Sequence, residues 1–134
     1  MRLLSLTIGL FLFASAVAIA GNGRFGDTTL AAEGSTKAQT VFTPDTAKIV
    51  LHAKILDMPA GTKLTAAWIA VKTDVAPANY EIISAEVETK QAAASDEAEF
   101  FLTKPDTGWP IGDYKVDLSI NGQVATSITF KVAK

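Results

Sequence analysis

One histidine and fourteen acidic residues could carry acid–base or metal chemistry in this 134-residue chain, which has no cysteine. His52 lies between Lys48 and Lys54 on the polar phase of a predicted strand, and no G-x-S-x-G motif supplies a serine nucleophile. A site built from several imidazoles is impossible with one histidine, and the missing cysteine excludes thiolate catalysis, disulfides and Cys-based metal sites. The sequence therefore predicts no catalytic role for His52.

The densest acidic run is Ser95-Asp96-Glu97-Ala98-Glu99. It lacks the alternating oxygen ligands and the central glycine of a calcium loop, so we interpret it as a solvated acidic surface. A carboxylate pair for glycoside hydrolysis could be drawn from fourteen acids, but no pair is singled out by its neighbours. Glycine-rich phosphate loops are also absent. The sequence predicts no metal, no cofactor and no enzymatic activity.

Trp109 is the first candidate binding residue. It falls in the segment 105–113, which is so rich in Pro, Gly and Asp that the chain must leave one sheet and re-enter the other. There it either plugs the open end of a sandwich, the interpretation that we favour, or stands exposed as a stacking platform for a sugar or peptide.

A second candidate site is an apolar patch on the outside of one sheet. The strand predicted over 62–73 is apolar in both phases, so if Trp68 and the residues in phase with it fill the core, the opposite phase faces outward. A partner protein, a second copy, the N-terminal segment or the segment 91–98 would cover such a patch. The patch comprises Ala67, Ile69, Val71, Tyr80 and Ile82.

Alternation of apolar and polar residues predicts the elements that hold these side chains. It is clearest at 114–120 and 124–132 and indicates half-buried strands. About seven strands at spacings of roughly 8 to 14 residues predict an all-β antiparallel sandwich. The predicted strands cover 40–43, 46–56, 62–73, 80–90, 99–104, 114–120 and 124–132, with a possible helical turn at 91–98.

The hairpin between the last two strands has two possible turns. A two-residue turn on Asn121-Gly122 would place the buried phase of one strand opposite the exposed phase of the next. A three-residue loop over 120–122 sets Leu118 opposite Val124 and gives Gly122 a positive φ angle. The parity of the pattern favours the three-residue loop.

The N-terminal residues 1–20 have the features of a signal peptide: Arg2, an apolar run, and small residues before Gly21. The alternative is a permanent membrane anchor, for which the apolar run is short. Cleavage would leave 11 basic and 14 acidic residues, a net charge of −3 that attracts neither nucleic acid nor an anionic membrane. We predict a secreted or periplasmic protein with no membrane span in its mature form, a flexible leader over 21–39 and one domain over 40–134.

The domain resembles the immunoglobulin-like or fibronectin-III-like modules common in secreted bacterial proteins. Trp68 on the third predicted strand and Tyr114 at the start of the sixth carry the resemblance, which covers roughly residues 40–134. Val116 stands where such domains have a cysteine, so the resemblance implies a disulfide-free sandwich. It implies no activity.

Together these observations predict a non-enzymatic binding or structural module that presents a sheet face or loops to a protein or cell-envelope partner, with self-association as one form of this. The alternative is a small carbohydrate-binding or carbohydrate-processing protein that uses Trp109 and acidic residues. The candidate binding residues are Ile69, Val71, Tyr80, Ile82 and Trp109.

Overall fold

The computed structural model describes residues 23–134, which form eight β-strands and no helix, so no helix in this range could cross a membrane. The predicted signal peptide and its cleavage before Gly21 lie outside the described residues. The strands are β1 (Arg24–Ala32), β2 (Val41–Phe42), β3 (Lys48–Met58), β4 (Lys63–Thr73), β5 (Tyr80–Glu88), β6 (Ala93–Thr103), β7 (Gly112–Ile120) and β8 (Gln123–Val132).

The strands form two facing sheets, which confirms the predicted all-β sandwich. One sheet has the order β1-β3-β6, and the other has the order β2-β8-β7-β4-β5. All neighbours are antiparallel except the short parallel pair of β2 and β8. The pairing of β3 with β6 and the grouping of β4, β7 and β8 match strands B and E facing strands C, F and G of an immunoglobulin-like sandwich.

The core lies between the sheets and contains Trp68, as the sequence predicted. The Trp68 side chain is 1% exposed, and its ring meets Phe130 edge-on at 6.2 Å between centroids. Its indole N–H has no hydrogen-bond partner among the described residues. The other fully buried large side chains come from both sheets and include Phe42, Ile49, Leu51, Leu64, Val116 and Leu118.

Tyr114 forms a tyrosine corner, a feature of immunoglobulin-like sandwiches. Its hydroxyl donates a hydrogen bond to the carbonyl oxygen of Pro110, four residues upstream. The ring stacks on Phe130 with centroids 5.1 Å apart and meets Trp109 edge-on at 6.1 Å. Burial raises the pKa of Tyr114 to about 12.

Strand β1 corrects the prediction of a flexible leader over 21–39. Residues Arg24–Ala32 pair with β3 along most of its length, and Leu30 and Ala31 are buried. The segment has only a short apolar run after several glycines and polar residues, so its periodicity is weak. It is a strand because the long strand β3 offers backbone partners to seven of its nine residues, with an irregularity between Phe25 and Thr28.

Strand β6 also differs from the prediction, because residues 93–98 are extended rather than a helical turn. β6 begins at Ala93 and runs antiparallel to β3 from Met58↔Ala93 to Lys48↔Thr103. Helix propensity over so few residues is weak, and eleven residues of strand pairing override it.

The three-residue loop predicted for the last hairpin is wrong, although Gly122 has the predicted positive φ. Ile120 pairs with Gln123, so the turn is the two-residue Asn121-Gly122, with φ angles of 50° and 86°. A β-bulge then corrects the parity, because Leu118 pairs with Thr126 while the next residue, Ser119, pairs with Val124.

Candidate binding cleft

Strand β5 lies at the edge of the five-stranded sheet, and all nine of its residues are exposed. The facing sheet has only three strands and covers β8, β7 and β4, whose inward residues form the core. β5 lies one strand spacing, about 4.8 Å, beyond the strands of its own sheet that the three-stranded sheet covers. Four of the nine large apolar side chains that are exposed in the described part of the chain belong to β5: Tyr80, Ile82, Ile83 and Val87.

A β-bulge decides which way these side chains face. Trp68 of β4 pairs with Ile83, but the next residue, Ile69, pairs with Glu81, so Ile82 is the extra residue. Beyond the bulge Tyr80 pairs with Ala70, which points into the core. Tyr80 therefore shares the inner face with Ile83, which is 49% exposed, and with Val87, which is 42% exposed.

The first cleft on this open side of the sandwich has a volume of about 390 Å³. Its floor includes the buried rings of Trp109 and Tyr114, and Leu102 of β6 stands opposite Tyr80 and Ile82. No carboxylate, imidazole or amine is among its lining side chains. The remaining lining residues are Ala70, Thr73, Val75, Ala76, Pro77, Thr103, Pro105 and Pro110.

A second cleft of about 520 Å³ lies at the other end of the same side. Leu64 and Val87 line it from one sheet, and Asp96 and Ala98 of β6 line it from the other. Ile83 lies on β5 between the two clefts. We call the two clefts together with Ile83 the side cleft.

The structure brings together three of the five predicted binding residues. Tyr80, Ile82 and Trp109 all line the first cleft, whereas Ile69 and Val71 are half-buried on β4 and do not. The predicted patch on the outer face is wrong, because the bulge turns Tyr80 and Ile82 inward. Ile69 instead lies between charged neighbours, Glu81 of β5 and Lys115 of β7.

Trp109 plugs the end of the sandwich, as the favoured interpretation held. It is 3% exposed, and its indole N–H donates a 2.7 Å hydrogen bond to the carbonyl oxygen of Thr46. A ring covered on this scale has no free face for a sugar, so Trp109 is not the exposed stacking platform of the alternative interpretation.

The sequence reasoning missed Ile83 and Val87 as surface residues. Their alternation with Ser84 and Glu86 correctly placed them on the inner face, where a sandwich strand is normally covered. The signal that could have found them is the acidic composition of β5 and β6, which face each other across the open side and carry six acidic residues. Strands this rich in charge are usually at the surface.

His52 lies on the outer face of the three-stranded sheet and does not line either cleft. Its Nε2 is 3.5 Å from a carboxylate oxygen of Glu99, and its Nδ1 is 3.8 Å from one of Glu97. No group of three or more His, Cys, Asp or Glu side chains within residues 23–134 is arranged to hold a metal ion.

No family model and no curated protein matches this sequence. Solved structures share its fold at 9–14% identity. A β-glucosidase from Erythrobacter marinus matches 84% of this chain at 10% identity, with a TM-score of 0.51 over 15% of its own length. A β-glucosidase from Listeria innocua in complex with gluconolactone matches 84% of this chain at 11% identity, with a TM-score of 0.51 over 16% of its length.

Two further solved structures come from pseudomonads. An alkylpurine DNA glycosylase from Pseudomonas fluorescens, bound to DNA containing an abasic site analog, matches 90% of this chain at 14% identity and a TM-score of 0.50, over 36% of its length. An immunoglobulin-like protein from Pseudomonas aeruginosa matches 85% of this chain at 14% identity and a TM-score of 0.48, over 98% of its length. At these identities the likeness shows the fold alone, and the chain spans only about a sixth of the β-glucosidases it matches.

Proposed function

We propose that this protein is an exported, non-enzymatic binding module that holds apolar side chains of a protein or cell-envelope partner in the side cleft. The observation that carries the proposal is β5, whose apolar inner face is exposed at the edge of the five-stranded sheet. Export rests on the signal-peptide features of residues 1–20.

The size and chemistry of the side cleft support binding. Soluble monomers seldom leave a contiguous apolar surface open, and burying such a surface contributes about 25 cal/mol per Å² before the costs of association. The first cleft offers a partner apolar walls with the hydroxyl groups of Thr73, Thr103 and Tyr80. Without a carboxylate, imidazole or amine the first cleft lacks the usual groups for acid–base catalysis, so its chemistry favours recognition, whereas Asp96, Glu97 and Glu99 are among the residues that line the second cleft.

The comparisons support a module rather than a complete enzyme. The likeness to β-glucosidases spans 15–16% of those chains, so this fold occurs as one part of larger proteins. Such a sandwich can present a surface without contributing to chemistry elsewhere in the chain.

The test compares Ile83→Lys with the matched control Val124→Lys, which places the same charge at an exposed apolar position on the last hairpin. The exported protein, labelled, is incubated with the cell-envelope and secreted fractions of its host, and the retained amount is measured. We expect Ile83→Lys to weaken retention about tenfold or more, as a central contact does, and Val124→Lys to change it less than about twofold.

Both substitutions are at exposed positions, so unfolding by urea should show changes within about 0.5 kcal/mol and confirm that each variant is folded. Equal retention of the two variants and the wild type would contradict the proposal. So would glycoside hydrolysis by the purified protein that is lost in an Asp96→Asn or Glu99→Gln variant.

A further inference from the structure

We propose that the partner presents an extended, basic segment that adds to the free edge of β5 as a further strand of the five-stranded sheet. Its side chains would alternate between apolar residues, which enter the side cleft, and lysine or arginine. This inference rests on the proposed function and names the class of partner.

The first argument is the free edge itself. Among the described strands β5 pairs only with β4, so one row of its backbone N–H and C=O groups is unpaired over nine residues. Proteins usually protect an exposed edge of this length with lysine, proline, a bulge or a covering loop. β5 contains neither lysine nor proline, and its bulge at Ile82 leaves the stretch from Ile83 to Glu88 regular.

The second argument is charge. Residues 80–103, which contain β5 and β6, carry six acidic residues and Lys90 alone as a base, a net charge of −5. The chain without residues 1–20 has a net charge of −3, so its residues outside 80–103 together carry +2. A cationic segment is therefore attracted to this one side of the molecule, and the attraction decreases with salt.

The third argument is the phase of these charges. On β5 the residues Ile83, Ala85 and Val87 point inward, and Ser84, Glu86 and Glu88 point outward, as their partners on β4 show. A strand added beside β5 would place every second side chain over the side cleft and the others beside the two glutamates. Apolar residues suit the first set and basic residues suit the second.

The outward orientation of Glu86 and Glu88 also disfavours a second copy of this chain as the strand that adds to β5. Two β5 edges paired with each other would bring the outward glutamates of both copies together, and like charges across a strand pair are destabilising. The regular stretch of six residues spans about 20 Å, so the recognised segment needs about six residues.

The experiment uses three synthetic peptides and the exported protein. The first peptide is Val-Lys-Val-Lys-Val-Lys, the second has the same composition in blocks as Val-Val-Val-Lys-Lys-Lys, and the third has glutamate for each lysine. We expect the alternating basic peptide to bind at least about tenfold more tightly than the block peptide and the acidic peptide not to bind. Hydrogen exchange should show slower exchange of β5 amides on binding and no change in β1, which is an edge strand as well.

The matched variants change one kind of charge at two edges. Glu86→Lys should weaken binding of the alternating peptide at least about tenfold, and Asp27→Lys, the same change of charge at an exposed position on β1, should change binding less than about twofold. Three results would each overturn the inference: equal binding of the block peptide, binding without protection of β5 amides, and equal weakening by Asp27→Lys.

The proposed function is tested separately, by the retention of the Ile83→Lys variant in host fractions. If the peptides fail and Ile83→Lys still abolishes retention, the side cleft is a binding site for a partner that does not add a basic strand. If Ile83→Lys has no effect on retention, the proposed function is overturned as well.

Discussion

Replacing Tyr114 with Phe removes one hydroxyl from the best-defined corner of the sandwich. That hydroxyl donates to the carbonyl oxygen of Pro110, and the ring is held by Phe130 and Trp109. Phenylalanine keeps both ring contacts, so the substitution changes the hydrogen bond and little else. At neutral pH we expect the free energy of unfolding to fall by about 1 to 2 kcal/mol, because the bond is lost and a partly buried carbonyl is left unpaired.

The pH dependence of this loss has a definite sign. Burial raises the pKa of Tyr114 from 10.0 to about 12, so the folded protein retains the phenolic proton that the unfolded chain has lost. This contribution to stability is complete below pH 10 and is lost as the pH rises through about 12. Two pKa steps correspond to about 3 kcal/mol, which the wild type loses and the Phe variant does not.

The assay is urea unfolding of both proteins between pH 7 and pH 12, with Tyr80→Phe as the control for removal of an exposed hydroxyl. We expect the wild type to be the more stable protein up to about pH 10 and the Phe variant to equal or exceed it near pH 12. Tyr80→Phe should change stability by less than about 0.5 kcal/mol at neutral pH. Parallel stability curves for the wild type and the Phe variant across this range would refute the reasoning.

Three further predictions concern the core, the corner and the N-terminal strand. Trp68→Ala should cost about 3 to 5 kcal/mol in urea unfolding, and Trp68→Phe less, because the indole N–H has no partner to lose in the described structure. Gly112→Ala should lower the thermal midpoint more than Gly34→Ala: both have positive φ, but at Gly112 a Cβ would lie 2.1 Å from the carbonyl oxygen of Lys72, whereas nothing lies within 4 Å at Gly34. Deleting β1 should lower the urea midpoint and speed hydrogen exchange in β3; unchanged exchange would show that residues 24–32 behave as the leader that the sequence predicted.

The sequence predicted most of the sandwich because its strongest signals are local. Alternation of apolar and polar residues located β3, β5, β7 and β8 to within a few residues, and the apolar run over 62–73 located β4. Trp68 and Tyr114, which carry the resemblance to immunoglobulin-like domains, are both in the core. β1 and the first half of β6 were missed because their own alternation is weak. Both exist as strands because β3 is eleven residues long and pairs with a neighbour on each side.

Bulges limited the prediction of the site. Each side chain was assigned to a face by counting residues from an anchor such as Trp68, and one extra residue reverses every assignment beyond it. The bulge at Ile82 reversed Tyr80, and the bulge in β8 made a two-residue turn compatible with a buried Leu118. The residue pattern of a single strand does not show where it will have an extra, bulged residue relative to its partner strand.

The exposure of Ile83 could not be predicted from the alternation of residues either, for a different reason. An inward side chain is buried only if the facing sheet extends far enough, and the number of strands in that sheet depends on how the whole chain divides between two sheets. Here the division is three against five, so an inner face with the composition of core is left at the surface.

Glutamates on an apolar edge strand have two effects that depend on the partner. Against a second copy of the chain they are repulsive, because like charges directly opposite each other destabilise a strand pair. Against a basic strand the same Glu86 and Glu88 are attractive, and the apolar inner face adds to the attraction. An edge protected only by charge therefore remains open to one class of partner, whereas proline would have closed it to all of them.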